Sequence, residues 1–117
     1  MTNPTAVLNV VGLDRATLKH MPSLASLGAV TDLIPVLPAV TCSAQATMLT
    51  GLSPAQHGVV GNGWFERDQA EVRFWKQSNH LVQGEKVWET ARRRDPSVTT
   101  AKLFWWFNMH ASVEYAA

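Results

Sequence analysis

Apolar positions change their spacing along the chain, and each change predicts a different element. Ala6–Leu13 is a nearly continuous, largely aliphatic run, the pattern of a strand buried on both faces. Arg15–Leu27 carries leucine and methionine at helical intervals, although Pro22 interrupts it. Val30–Leu37 is extended, and because its proline cannot donate to a ladder, it predicts an edge strand that soon becomes loop.

The remainder of the chain alternates again between helical and strand patterns. A short helix is predicted over Ser43–Leu49, beginning between Thr41 and Ser43 and ended by Thr50-Gly51. A β-hairpin is predicted where two aromatic stretches flank a polar turn. The hairpin strands and the later elements are Trp64-Phe65, Val72–Trp75, a helix over Glu85–Arg94, a strand over Ser97–Trp106 and an aromatic tail over Phe107–Ala117. This order predicts an α/β fold.

Length and charge narrow the class of protein. The chain has 117 residues, of which 46% are hydrophobic and 16% charged, which suits one globular domain. The net charge of +1 gives no strong global field toward a nucleic-acid polymer or a membrane surface. The basic run Arg92-Arg93-Arg94 closes a helical pattern, where cations favour the free carbonyls.

Cysteine content and the N-terminal pattern bear on the compartment. A single cysteine, Cys42, excludes an intrachain disulfide and fits a reducing environment. The apolar run over Ala6–Leu13 stops at Asp14, which is too short for a signal-peptide core or a membrane span. The sequence therefore predicts a cytoplasmic protein.

A few polar residues are placed where phosphoryl chemistry would need them. Asp14 follows the first predicted strand, at the sheet edge where α/β proteins bind ligands. The helix after Thr41 would aim its free N–H groups at an anion. Gly58 and Gly61 would let the backbone turn and deliver the Asn62 amide to a phosphate oxygen. Asp14 and Thr41 are also residue types that cap helices, so capping is the alternative for both.

Three motifs carry a resemblance to a known family. They are Val10-Val11-Gly12-Leu13-Asp14, then Pro38-x-x-Thr41, then the run from Thr50 to Asn62 that contains Thr-Gly-Leu-x-Pro-x-x-His-Gly. The chain resembles the alkaline phosphatase superfamily, and most closely its type I nucleotide pyrophosphatase/phosphodiesterase branch. The last run is shared with sulfatases, whereas the 21 residues from Thr41 to Asn62 are typical of the phosphodiesterase branch.

The resemblance implies a role for each of these residues. Asp14 would be a metal ligand, and Thr41 both a metal ligand and the covalent nucleophile. Asn62 would bind a phosphoryl oxygen, and His57 would hold the loop by packing or hydrogen bonding. Two divalent metal ions, zinc being the expected metal, would assist hydrolysis of a small phosphodiester or nucleotide substrate. The implied fold is a partial alkaline-phosphatase-like three-layer core, a mostly parallel sheet with a β-hairpin insertion.

The remaining metal ligands of the family are absent from the sequence. Relatives use an Asp-x-x-x-His pair, an adjacent Asp-His and a later histidine. The aspartates at 14, 32, 68 and 95 have no histidine next to them or four residues on. His20, His80 and His110 follow no ligand spacing and are expected on surfaces or loops. We therefore expect residues 1–117 to be the N-terminal portion of a single, truncated catalytic α/β domain that is inactive alone.

The sequence also departs from the family beside the nucleophile. Cys42-Ser43-Ala44-Gln45 stands where the branch often has aromatic-Pro-Asn-His, which leaves nucleotide preference open. A sulfatase interpretation of Cys42 lacks the Cys-x-Pro-Ser-Arg pattern. Two alternatives therefore stay open: a phosphonate or phosphomonoester hydrolase of the same superfamily, and a catalytically silent fragment or interaction module.

Five tryptophans in a short chain allow two interpretations. Aromatic residues near a hairpin usually pack in a core. The alternative is a wall of the substrate pocket, to which Trp64-Phe65 and Phe107-Asn108 would contribute.

Overall fold

The computed structural model describes residues 3–117, which divide into two compact units, one ending at Ile34 and the other running from Pro35 to Ala117. The first unit contains two short helices, and the second contains the other helices and two small sheets. The helices are α1 (Arg15–Leu18), α2 (Pro22–Ala25), α3 (Thr41–Thr50), α4 (Pro54–His57) and α5 (Val87–Arg94), with a 3-10 helix over Asn79–Leu81. The strands are β1 (Gly63–Glu66), β2 (Glu71–Phe74), β3 (Ala101–Lys102) and β4 (Tyr115–Ala116).

The first unit contains the largest difference from expectation. The predicted strand over Ala6–Leu13 is wrong: its described backbone pairs with no strand, and Val7, Leu8 and Val11 are exposed. A two-faced buried strand needs a neighbour on each side and helices above and below, and residues 3–34 provide only α1 and α2. The predicted helix over Arg15–Leu27 forms as those two short helices, because Pro22 begins α2 instead of continuing α1.

Helix α3 confirms the prediction for its part of the chain. Its first intrahelical bond runs from the Ala44 N–H to the Val40 carbonyl oxygen at 2.9 Å. It ends at Gly51, which has a left-handed φ of 71° that a residue with a Cβ adopts only with strain. The Thr50 hydroxyl donates back to the Ala46 carbonyl and accepts from the Leu52 N–H, which closes the last turn.

The hairpin and the last helix are also confirmed. Strands β1 and β2 pair antiparallel with Phe65 opposite Val72. Helix α5 begins with the Glu89 carboxylate accepting from the Lys86 N–H at 2.9 Å, and it ends before Asp95-Pro96. The spacing of apolar positions therefore predicted every boundary of the hairpin strands and of α5 to within two residues.

The predicted strand over Ser97–Trp106 is wrong for most of its length. Only β3 is extended, and it pairs in parallel with β4 from the tail. Phe104 and Phe107 both have left-handed backbones, with φ of 60° and 58°, which turn the chain out of a strand. The predicted edge strand over Val30–Leu37 is also absent, since none of its residues joins a ladder.

The core of the second unit lies between α3 and the loops that follow it. Its buried residues are Cys42, Ala46, Val59, Val82 and Phe107, with Trp64, Leu81 and Trp106 packed against them. The chain is thus of α/β type, with one antiparallel hairpin and one short parallel pair. The three-layer core with a mostly parallel sheet stays a prediction.

Candidate active site at the start of helix α3

The first turn of α3 presents a hydroxyl and free backbone donors together. Thr41 is the first residue of the helix and is half-buried, and Val40 before it has no side-chain oxygen to cap the turn. The N–H groups of the first turn therefore lie outside the helical ladder. A helix start of this kind attracts an anion, because the dipole and the N–H groups point the same way.

Asn62 completes this turn from a distant part of the sequence. Its Oδ1 accepts from the Cys42 N–H at 2.9 Å, so the amide lies beside Thr41. Because Oδ1 faces a donor, the amide orientation is fixed and the Nδ2 hydrogens remain for a ligand. The Asn62 carbonyl oxygen accepts from the Trp75 N–H at 3.0 Å, which ties the residue to the end of the hairpin. The structure thus brings Thr41 and Asn62 together.

His57 holds the loop that carries the chain from α3 to Asn62. It is fully buried; its Nδ1 accepts from the Val59 N–H at 3.1 Å, and its Nε2 lies 2.9 Å from the Thr47 hydroxyl. Since Nδ1 accepts, the proton sits on Nε2 and is donated to Thr47. Burial lowers the pKa of His57, which keeps the ring neutral. The expected structural role of His57 is confirmed.

Cys42 faces away from this turn and into the core. It is 1% exposed, and burial raises the pKa of its thiol to about 11. A side chain enclosed in the core does not face the turn where a substrate would bind, which argues against a sulfatase-type role for Cys42. Ser43 is likewise fully buried, so Thr41 is the accessible hydroxyl of this turn.

Asp14 is the N-cap residue of α1, the role that the sequence allowed as the alternative to metal binding. Its carboxylate accepts from the Thr17 N–H at 2.7 Å at the start of α1, and this bond is the main cause that lowers the pKa of Asp14. Asp14 belongs to the unit that ends at Ile34, whereas Thr41 and Asn62 belong to the other. Helix capping is therefore observed, and a metal-ligand role for Asp14 stays a prediction.

A complete metal centre is not present in the described part of the chain. Among residues 3–117, no group of three or more His, Cys, Asp or Glu side chains is arranged to hold an ion. Zinc requires three or four protein ligands. The residues present therefore do not fit a two-zinc centre by themselves.

The tryptophans mainly serve packing. Trp88 is buried, Trp64 and Trp106 pack against the core, and the rings of Trp75 and Trp106 meet edge to face at 4.9 Å. Phe107 is fully buried, which favours core packing over the alternative of a pocket wall for this residue. Core packing is confirmed for most of the cluster.

Comparison with known families identifies the family of the chain. The sequence model of the family described as type I phosphodiesterase / nucleotide pyrophosphatase matches residues 5–117. The match covers nearly the whole chain, and the chain belongs to the type I phosphodiesterase / nucleotide pyrophosphatase family. This family consists of hydrolases.

Two further searches returned negative results. A search of curated proteins found no significant match to the chain. Within the described residues, no helix has both the length and the apolar character that crossing a membrane requires. The cytoplasmic location stays a prediction.

Proposed function

We propose that this chain carries the nucleophile and the phosphate-binding part of a hydrolase that cleaves phosphodiester or pyrophosphate bonds through a covalent phospho-Thr41 intermediate. The observation that supports this most directly is the 2.9 Å bond from the Cys42 N–H to Asn62 Oδ1. This bond holds the Asn62 amide against the first turn of α3, which begins at Thr41. Family membership supplies the reaction class.

Each group has a distinct task in this proposal. The Thr41 hydroxyl oxygen attacks phosphorus, the bond to the leaving oxygen breaks, and water later cleaves the bond between Thr41 and phosphorus. Negative charge grows on the non-bridging oxygens during both steps. The Nδ2 hydrogens of Asn62 stabilise that charge, together with the N–H groups of the first turn of α3 other than that of Cys42, which Asn62 Oδ1 accepts.

The nucleophile is tested by trapping it. Rapid acid quenching of the full gene product with bis-p-nitrophenyl phosphate should release one p-nitrophenol and leave a p-nitrophenyl phosphoryl group on the tryptic peptide that contains Thr41, detected by mass spectrometry. Thr41→Ala should abolish both the label and turnover, and the 117-residue chain alone should be no faster than buffer with zinc. Turnover that survives in Thr41→Ala would refute the proposed nucleophile.

The proposal includes two divalent metal ions, with zinc as the expected metal. This chain offers Asp14 and Thr41 as ligands for them. The other ligands are not among its described residues. Asp14→Asn separates the two roles of Asp14, since asparagine caps a helix as well as aspartate but carries no charge. The full gene product should lose bound zinc in Asp14→Asn and keep it in Asp32→Asn, measured by elemental analysis. Equal zinc content in both variants would contradict the ligand role.

A phosphonate or phosphomonoester substrate is the second candidate. Gln45 stands where relatives often have histidine, and its Oε1 accepts from the Trp106 N–H at 2.7 Å. Gln45 is buried by this contact, so it is not free to meet a leaving group. Comparing diester, monoester and phosphonate nitrophenyl substrates by kcat/KM distinguishes the candidates.

A further inference from the structure

Two histidines that lie 30 positions apart in the sequence are neighbours in the structure. The rings of His80 and His110 have their centroids 4.9 Å apart and their planes 17° from parallel. Both residues are exposed. The sequence did not predict that these two residues are neighbours, because they lie on segments that are far apart along the chain.

Backbone hydrogen bonds fix the two loops against each other. Ser78 and Met109 form a parallel bridge. The Asn79 N–H donates to the Met109 carbonyl at 2.7 Å, and the Met109 N–H donates to the Gln77 carbonyl at 3.1 Å. The buried Asn79 side chain adds a bond to the Phe107 carbonyl oxygen at 3.2 Å. The backbone segments that carry the two rings are therefore held next to each other by the fold.

One ring already has its second nitrogen engaged. His110 Nδ1 lies 3.2 Å from the Ser78 hydroxyl oxygen. A hydrogen bond at one nitrogen is how metal-binding histidines are usually oriented, because it leaves the other nitrogen as the ligand. His110 Nε2 is thus available next to the His80 ring.

We propose that His80 and His110 form a two-histidine binding site for a divalent late transition-metal ion such as Ni²⁺ or Cu²⁺. Two imidazoles bound side by side at about 2.1 Å from one ion place their ring centroids about 5 Å apart. The observed centroid separation of 4.9 Å fits this spacing, whereas the stacked, nearly parallel planes do not yet direct both lone pairs at one ion. One ring turns about its Cβ–Cγ bond, a soft torsion, to aim both lone pairs at the ion, and water fills the other positions.

Calorimetric titration of the tag-free 117-residue chain with Ni²⁺ tests the site. One ion should bind, and His80→Gln and His110→Asn should each weaken binding at least about tenfold. Asparagine is chosen at position 110 because His110 has a left-handed φ of 59°, which asparagine tolerates. His20→Gln is the matched control, since it removes an exposed histidine elsewhere in the chain.

The outcomes separate this site from the proposed catalytic centre. Binding that is unchanged in both His80→Gln and His110→Asn, or weakened as much by His20→Gln, would overturn the inference. Binding lost in Asp14→Asn but kept in His110→Asn would also overturn it, while leaving the proposed function intact. Loss in both pair variants with full binding in Asp14→Asn supports it.

Discussion

Asn62→Asp should lower kcat/KM for phosphodiester hydrolysis by about 100- to 1,000-fold and leave the fold unchanged. An aspartate oxygen still accepts from the Cys42 N–H, so the contact that joins the loop to α3 is kept. The Nδ2 donor, however, is replaced by an anionic oxygen that repels the phosphoryl group. Steady-state kinetics on the full gene product, with urea unfolding alongside, measures both expectations.

Asn9→Asp is the control for this change. Asn9 is exposed and belongs to the first unit, so its substitution adds the same charge outside the unit that contains α3. We expect its kcat/KM to stay within about twofold of the parent value. If Asn62→Asp is equally active, Asn62 does not contact the phosphoryl group, and the loop contact with Cys42 has only a structural role.

The elements that the sequence predicted well are those whose causes are local. Gly51 ends α3 because glycine adopts the left-handed backbone of a helix end without strain, whatever its neighbours are. The hairpin follows from alternation in Phe65 and Val72 around a polar turn. In both cases the interacting groups lie within about one loop of each other. The bond between the Asn62 amide and the Cys42 N–H, which joins residues 20 positions apart, was not predicted.

The failures have a common physical reason. Whether Ala6–Leu13 forms a strand depends on partners to which it can hydrogen-bond, and its own residues do not encode those partners. The tail strand β4 pairs with β3 although its sequence gives no strand pattern. The pair of His80 and His110 depends on a bridge between distant loops. Non-local contacts of this kind are not readable from periodicity.

The two buried lysines are a further feature that sequence patterns did not reveal. Lys86 and Lys102 are 8% and 3% exposed. The ammonium group of Lys102 donates to the Phe107 carbonyl at 2.6 Å and lies over the Trp88 ring. Within residues 3–117, neither lysine forms an ion pair with a carboxylate. A buried charge without a counter-ion costs stability.

Burial, and then the charge of Lys86, lower the pKa of Lys102 from 10.5 to about 8. Between these pH values the unfolded chain binds a proton that the folded chain does not. The folded state is therefore penalised in full below pH 8 and regains stability as the pH rises toward 10.5. The shift corresponds to about 3 kcal/mol.

Lys102→Met should accordingly raise the free energy of unfolding at pH 7 by about 2–3 kcal/mol and remove the gain between pH 8 and 10.5. The Phe107 carbonyl keeps the Asn79 amide as a donor, so the substitution leaves no buried acceptor without a partner. Urea unfolding at pH 7 and pH 10 measures the effect, with exposed Lys19→Met as control. A lower stability of Lys102→Met at pH 7 would mean that the carbonyl and Trp88 contacts outweigh the cost of burial.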